Sequence, residues 1–239
     1  MPLSNSTRIP VWDLAIRLFH WLLVLLIMGL MLTGLIGGFD ITVPLPVNKV
    51  FFLNNMDVHM YLGQSVLALV LFRLFWGVAG SSTARFSAFV RGPRAVFAYC
   101  RALLRGEVPA ATGHNPAGAA MIVAMLVLLL AQAGTGLFAH DDTDAEGPLA
   151  HLVSTGTSDF LSNVHGVVFY MLLLCIILHV SAIFYYWWRG ENLVMPMLNG
   201  SKPVDLLPVG APLPVMASLG RAVVLMAIAV ALVCGLHFL

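Results

Sequence analysis

"FLSNVHGVVFYMLLLCIILHVSAIFYYWW", residues 160–188, decides the fold of this chain. About twenty apolar residues cross a bilayer as an α-helix, and this stretch is longer than that. It holds no Asp, Glu, Lys or Arg, yet His165 and His179 stand inside it. An ionisable side chain in a membrane helix is costly and marks function by default. Two on one helix need a common explanation.

The rest of the chain agrees with a membrane protein. Its 239 residues are 60% hydrophobic and 10% charged, with a mean hydropathy of +0.93. A soluble domain is excluded by that composition. Four further apolar runs are long enough to span, at 14–38, 58–80, 117–139 and 215–239. Alternation at period two is absent from them, which argues against a β-barrel. The expected fold is therefore an all-α membrane bundle. The first apolar run is too long for the h-region of a signal peptide. Cys100, Cys175 and Cys234 form no CxxC or CxxCH motif. That removes a disulfide framework, a zinc knuckle and a covalently attached c-type haem.

Lys and Arg give the direction of the helices, because cytoplasmic loops accumulate them. Arg8 and Arg17 stand at the first helix. Arg85, Arg91, Arg94, Arg101 and Arg105 lie between the second and third, and Arg189, Lys202 and Arg221 between the fourth and fifth. The opposite side has Lys49 and the acids Asp40, Asp57, Asp141, Asp142, Asp144, Glu146 and Asp159. The N-terminus is expected in the cytoplasm and the C-terminus outside. The acidic loop above the fourth helix is expected to steer a basic partner, although avoidance of positive charge accounts for part of its composition.

Three connecting segments carry local signals. In "PRAVFAYCRALLRGE" (93–107), Val96, Cys100, Leu103 and Leu104 share one helical face and Arg94, Arg101 and Arg105 another. That pattern suits either an amphipathic helix on anionic lipid or a solvated basic loop. In "GHNPAGA" (113–119), Asn115 is the expected N-cap and Pro116 the first helical residue. "KPVDLLPVGAPLP" (202–214) reads as a linker to the fifth helix. No internal repeat stands out.

His165 and His179 are fourteen residues apart. At 3.6 residues per turn they share a face to within about 40°, separated by about 21 Å along the axis. One metal ion cannot bind both; two sites stacked across the membrane can. The topology then sorts the other histidines by depth. His20, near the cytoplasmic start of the first helix, matches His179. His59, near the external start of the second, matches His165. Two imidazoles on opposite sides of a planar macrocycle are the arrangement of a bis-histidine haem. Gly34, fourteen residues after His20, would leave room for a porphyrin at the external level, as would Gly29, Gly63 and Gly166. Arg73, fourteen residues after His59, needs an anionic partner in the bilayer, and a haem propionate suits it or Arg17. Taken singly, His20 beside Trp21 also fits an interfacial belt, glycines in membrane helices often serve packing, and Arg73 can snorkel to the surface. His114 and Asn115 add polar groups at the cytoplasmic end, where a quinone is expected, with the external end as the rival. His140 and His151 flank the acidic loop, and His237 is expected at the interface.

The chain resembles the bacterial cytochrome b561 and nickel–iron hydrogenase b-type cytochrome superfamily. The resemblance is carried by "VWDLAIRLFHW", "VHMYLGQ" with "FRLFWGVAG", "GHNPAGA", and "VHG…LHVSAIFYY" followed by "RGENLVMPMLNGSK". It covers about residues 10–202. It implies a four-helix core (1–202) holding two haem b groups on His20, His179, His59 and His165. It also implies electron transfer between membrane quinone and a periplasmic c-type cytochrome or hydrogenase. The linker and fifth helix (203–239) depart from the family core and are left for partner docking or homo-oligomer contacts. Nothing points to nucleic acid. A membrane-anchor subunit stays open as an alternative. A histidine-relay transporter would need carboxylates inside the helices, and none sits mid-span.

Overall fold

The computed structural model of the chain describes residues 7–36, 41–45, 49–107, 109–140, 145–208, 210 and 212–239. In chain order its elements are β1 (Arg8–Pro10), α1 (Leu14–Ile36), β2 (Ile41–Leu45), β3 (Lys49–Leu53), α2 (Asn55–Ala79), α3 (Phe86–Phe89) and α4 (Pro93–Leu104). They continue with α5 (Pro116–Gly136), α6 (Thr155–Trp188), α7 (Val194–Asn199), β4 (Ser201–Pro203) and α8 (Leu219–Gly235). Among the described residues, five helices are long and apolar enough to cross a membrane: α1, α2, α5, α6, and α8 with its continuation to Phe238. The expected all-α membrane bundle stands. A helix suits these runs because it satisfies every backbone N–H and C=O within its own segment, which the bilayer core demands. At 34 residues α6 reaches about 51 Å, beyond the ~30 Å hydrocarbon layer.

Among the described residues, strands occur only in the connections. β2 pairs antiparallel with β3, Ile41 opposite Leu53 and Leu45 opposite Lys49. The hairpin joins α1 to α2 and was not expected from the sequence, though its β-branched and aromatic residues suit a strand. β1 pairs antiparallel with β4, Arg8 opposite Pro203.

The chain forms two compact units, each drawing on several helices. The first comprises residues 1–19, 72–127 and 173–225. Val11, Trp12, Phe19, Phe72, Trp76, Phe89, Tyr99 and Tyr186 are buried in it. Asp13 performs two tasks here. Its Oδ1 accepts the Ile16 N–H at 2.7 Å and so caps α1. Its Oδ2 accepts the Trp76 indole N–H at 3.1 Å and so ties α1 to the end of α2. The approach to α8 is fixed on α2 as well: the Ala217 and Val215 N–H groups donate to Ser81 Oγ and Ser82 Oγ, each at 2.9 Å. Arg221 donates to the Ala79 carbonyl at 2.9 Å.

The amphipathic segment is helical, with a face different from the expected one. Tyr99 is buried, and Val96 and Leu103 are half-buried, whereas Cys100 and Leu104 are exposed. The outer face therefore combines Phe97 and Leu104 with Arg94, Arg101 and Arg105. Apolar and basic side chains together suit the headgroup boundary better than a solvated loop. The difference arises because Tyr99 is held inward by a hydroxyl partner, described below.

Gly200 closes α7 at φ +84°, and its carbonyl accepts the Val11 and Trp12 N–H groups. A Cβ there would lie 2.8 Å from the Trp12 carbonyl oxygen. Gly200→Ala should therefore lose at least about 1–2 kcal/mol, the cost of the left-handed conformation for an L-residue. Chemical denaturation in detergent measures this; unchanged stability would mean that the turn can rearrange.

The second unit comprises residues 20–71, 128–172 and 226–239. Leu67, Ala68 and Val233 form its small buried core, flanked by Leu130, Ala133, Leu137 and Leu236. His237 of the C-terminal turn meets Gln64 Oε1 at 2.7 Å. After α5 the chain folds back on itself: Gly147 and Leu149 donate N–H groups to the carbonyls of Ala139 and Leu137, both at 2.8 Å. Asp40, Asp141, Asp142 and Asp144 lie outside the described residues.

Candidate functional site

In the second unit α2 presents His59 and α6 presents His165. Their ring centres are 6.3 Å apart and their planes cross at 69°. Each ring is held through Nδ1. Thr33 Oγ1 lies 2.9 Å from His59 Nδ1. Thr135 Oγ1 lies 3.2 Å from His165 Nδ1, and the Gln132 carbonyl 2.9 Å from it. A carbonyl only accepts, so His165 Nδ1 carries the proton and its Nε2 keeps the lone pair.

Two glycines let the rings come this close. A Cβ on Gly34 would lie 3.2 Å from His59 Cε1, and one on Gly136 would lie 3.0 Å from His165 Cε1. Gly34 thus makes room for a histidine ring. Gly29 instead backs onto Leu62 at 3.0 Å. Gly63 is half-buried with open space around its Cβ position, and Gly166 has open space and is exposed.

Two imidazoles with ring centres 6.3 Å apart are a donor set that a bis-histidine haem would use. Among the described residues, no three of His, Cys, Asp or Glu gather as a tetrahedral zinc ion would require.

The other predicted residues are distributed as follows. His20, in the second unit, sets its ring edge-on to Trp21 at 5.0 Å. His179 is on the part of α6 that belongs to the first unit. Arg73, in the first unit, is 3% exposed, and its Nη1 has no hydrogen-bond partner. Its guanidinium sits 4.8 Å from the Phe86 ring centre and 5.8 Å from that of Phe89. Arg17 donates to the Leu198 carbonyl at 2.5 Å. His114 packs between Trp12 and Phe89, at 4.5 and 5.0 Å between ring centres. Asn115 caps α5 as expected, its Oδ1 accepting the Gly118 N–H at 2.8 Å. Its amide donates to the Tyr186 hydroxyl at 3.0 Å, which lies 2.8 Å from the Tyr99 hydroxyl. Burial, and then the bond to Tyr186, push the Tyr99 phenol well up, so it stays protonated at neutral pH. In the acidic loop region His140 Nε2 meets Asp159 at 2.7 Å.

A family model for prokaryotic cytochrome b561 matches residues 11–200. The chain belongs to the prokaryotic cytochrome b561 family. Members are membrane b-type dihaem cytochromes, and this chain, with its five candidate spans, is a multi-pass membrane protein of that kind. The match ends before the linker and α8. No curated protein matches the chain.

Four residues at the His59–His165 site escaped the sequence reading: Thr33, Thr135, Gly136 and Gln132. A signal existed. "TGL" occurs at 33–35 and again at 135–137, on the two helices that supply these contacts.

Proposed function

We propose that the protein carries electrons through the membrane between the quinone pool and a periplasmic redox partner, a c-type cytochrome or a hydrogenase. His59 and His165 would hold the periplasmic-side haem, and His20 and His179 the cytoplasmic-side one. The observation that carries the reading is the His59–His165 pair, with ring centres 6.3 Å apart and the His165 tautomer fixed for metal binding. When bound, each haem supplies one-electron chemistry. The chain contributes ligands, depth and a low-dielectric surround. Arg73 is the better propionate partner, because its whole side chain is buried and its Nη1 has no partner, whereas Arg17 bonds Leu198 through Nη1 and leaves its Nε unpartnered. The space beside Gly63 suits a macrocycle edge.

The orientation follows from the distribution of Lys and Arg. A four-helix core over 1–202, with 203–239 added to it, agrees with the extent of the family match. Quinone is placed at the cytoplasmic end, near Arg17, Arg73, His114 and Asn115. Tyr99 and Tyr186 extend that group with exchangeable protons, which quinone reduction needs. On the periplasmic side Glu146 and Asp159 contribute to an acidic rim that favours a cationic partner.

The test uses the full chain in liposomes. A dithionite-reduced minus oxidised spectrum should show a b-type α-band. A quinol should produce the same band, and a cationic c-type cytochrome should remove it, faster at low salt than at high salt. No b-type band, or a band that quinol cannot raise, would defeat the proposal.

A further inference from the structure

We infer that Thr33 and Thr135 are positioning residues that set the reduction potential of the haem on His59 and His165, each through the Nδ1–H of its histidine. This rests on the bis-histidine reading above.

A threonine hydroxyl has one proton. Thr33 Oγ1 lies 2.9 Å from the Gly29 carbonyl and 3.2 Å from that of Leu30. Thr135 Oγ1 lies 2.8 Å from the Ala131 carbonyl and 3.0 Å from that of Gln132. Those carbonyls only accept, so each hydroxyl proton is committed to its own helix. The oxygen that remains accepts from a histidine Nδ1–H. Threonine in a helix often bonds back to a carbonyl one turn earlier, and that alone carries no role. Here the same oxygen also meets an imidazole from another helix, and it does so twice. In both places the next residue is a glycine that admits the ring, Gly34 or Gly136. Two independent helices repeat one arrangement around the two rings.

The chemical effect has a definite sign. Accepting a hydrogen bond from Nδ1 makes Nε2 a stronger donor and fixes the ring's orientation. A stronger donor favours ferric over ferrous iron, so the two hydroxyls lower the potential. They also hold the rings near their 69° crossing.

The test compares Thr33→Val, Thr33→Ser, Thr135→Val and Thr135→Ser in the full-length holoprotein. Valine keeps the shape and removes the hydroxyl; serine keeps the hydroxyl. In the Thr135 variants the Gln132 carbonyl, 2.9 Å from His165 Nδ1, remains as an acceptor. Potentiometric titration should show the periplasmic-side haem shifted toward the reduced form, about three- to tenfold in Thr33→Val and by less in Thr135→Val, where the Gln132 carbonyl still accepts. At 59 mV per tenfold for one electron, the Thr33→Val shift is about 30–60 mV upward. Serine should restore the wild-type value. The ferric low-spin EPR signal should be strongly anisotropic, as crossed imidazoles require, and should change in the valine variants only. Loss of the haem in the valine variants, with retention in the serine variants, would support the same role. Wild-type potential and spectrum in the valine variants would overturn the inference. So would equal shifts or equal haem loss in valine and serine, which would show that packing rather than the hydroxyl matters. Haem content in His59→Ala and His165→Ala separates the two readings: full occupancy there defeats the ligand assignment, whatever the threonine variants do.

Discussion

His59→Ala or His165→Ala halves the haem content of the purified protein and leaves the spectrum of a single b-type haem: this is the largest effect expected. Each substitution removes one of two imidazoles whose centres are 6.3 Å apart. The remaining ring cannot supply both axial positions. His59→Ala and His165→Ala should therefore be redundant, the double variant losing no more haem than either alone. His165→Ala combined with His179→Ala should lose both haems, because α6 would serve one site with each histidine. His20→Ala should match His179→Ala. Haem per protein and redox difference spectra measure all of these. If His59→Ala and His165→Ala abolished different spectral components, the pairing would be wrong.

Gly147→Ala should damage the same site without touching a ligand. A Cβ at Gly147 would lie 2.5 Å from both the Gly136 and Leu137 carbonyl oxygens. These are backbone atoms at the end of α5 and have no rotamer to adopt. The loop is also fixed by the Gly147 and Leu149 N–H bonds back to that helix end. Relief must come from moving Gly136, which already stands within 3.0 Å of the His165 ring once given a Cβ. Overpacking of this kind costs about 1–3 kcal/mol. Thermal unfolding in detergent should show the loss, together with weaker retention of one haem. Gly156→Ala and Gly220→Ala are the controls, since neither Cβ would meet any atom within 4 Å. Equal stability of Gly147→Ala and these controls would refute the prediction.

The sequence made some of this legible for identifiable reasons. Spans are written in consecutive apolar residues, and the histidine spacing on α6 depends only on helical pitch. Asn115 and Pro116 are local signals, and both acted locally. What stayed hidden depends on contacts between distant segments. Ser81 and Ser82 hold the approach to α8 across more than 130 residues. Thr33 and Thr135 look like ordinary membrane-helix threonines until a histidine from another helix arrives. The face of α4 was misassigned because Tyr99 was not counted as apolar, yet its hydroxyl finds a buried partner on α6. Arg17 and Arg73 looked equivalent as cations. Only packing separates the one bonded to Leu198 from the one enclosed by aromatic rings.

That aromatic enclosure bears on how the protein is made. An arginine in a membrane helix is costly to insert, and α2 meets the bilayer before α5, α6 or α8 has been synthesised. The side chains that cover Arg73 follow it closely: Phe86 is thirteen residues later and Phe89 sixteen. At about 5–20 residues per second they emerge within roughly 1–3 s of the arginine. Gly77, one turn beyond Arg73, leaves the Phe86 ring a place to lie, since a Cβ there would meet it at 2.0 Å. The nascent chain thus carries its own chaperone for the charge, ready before any cofactor or later helix arrives.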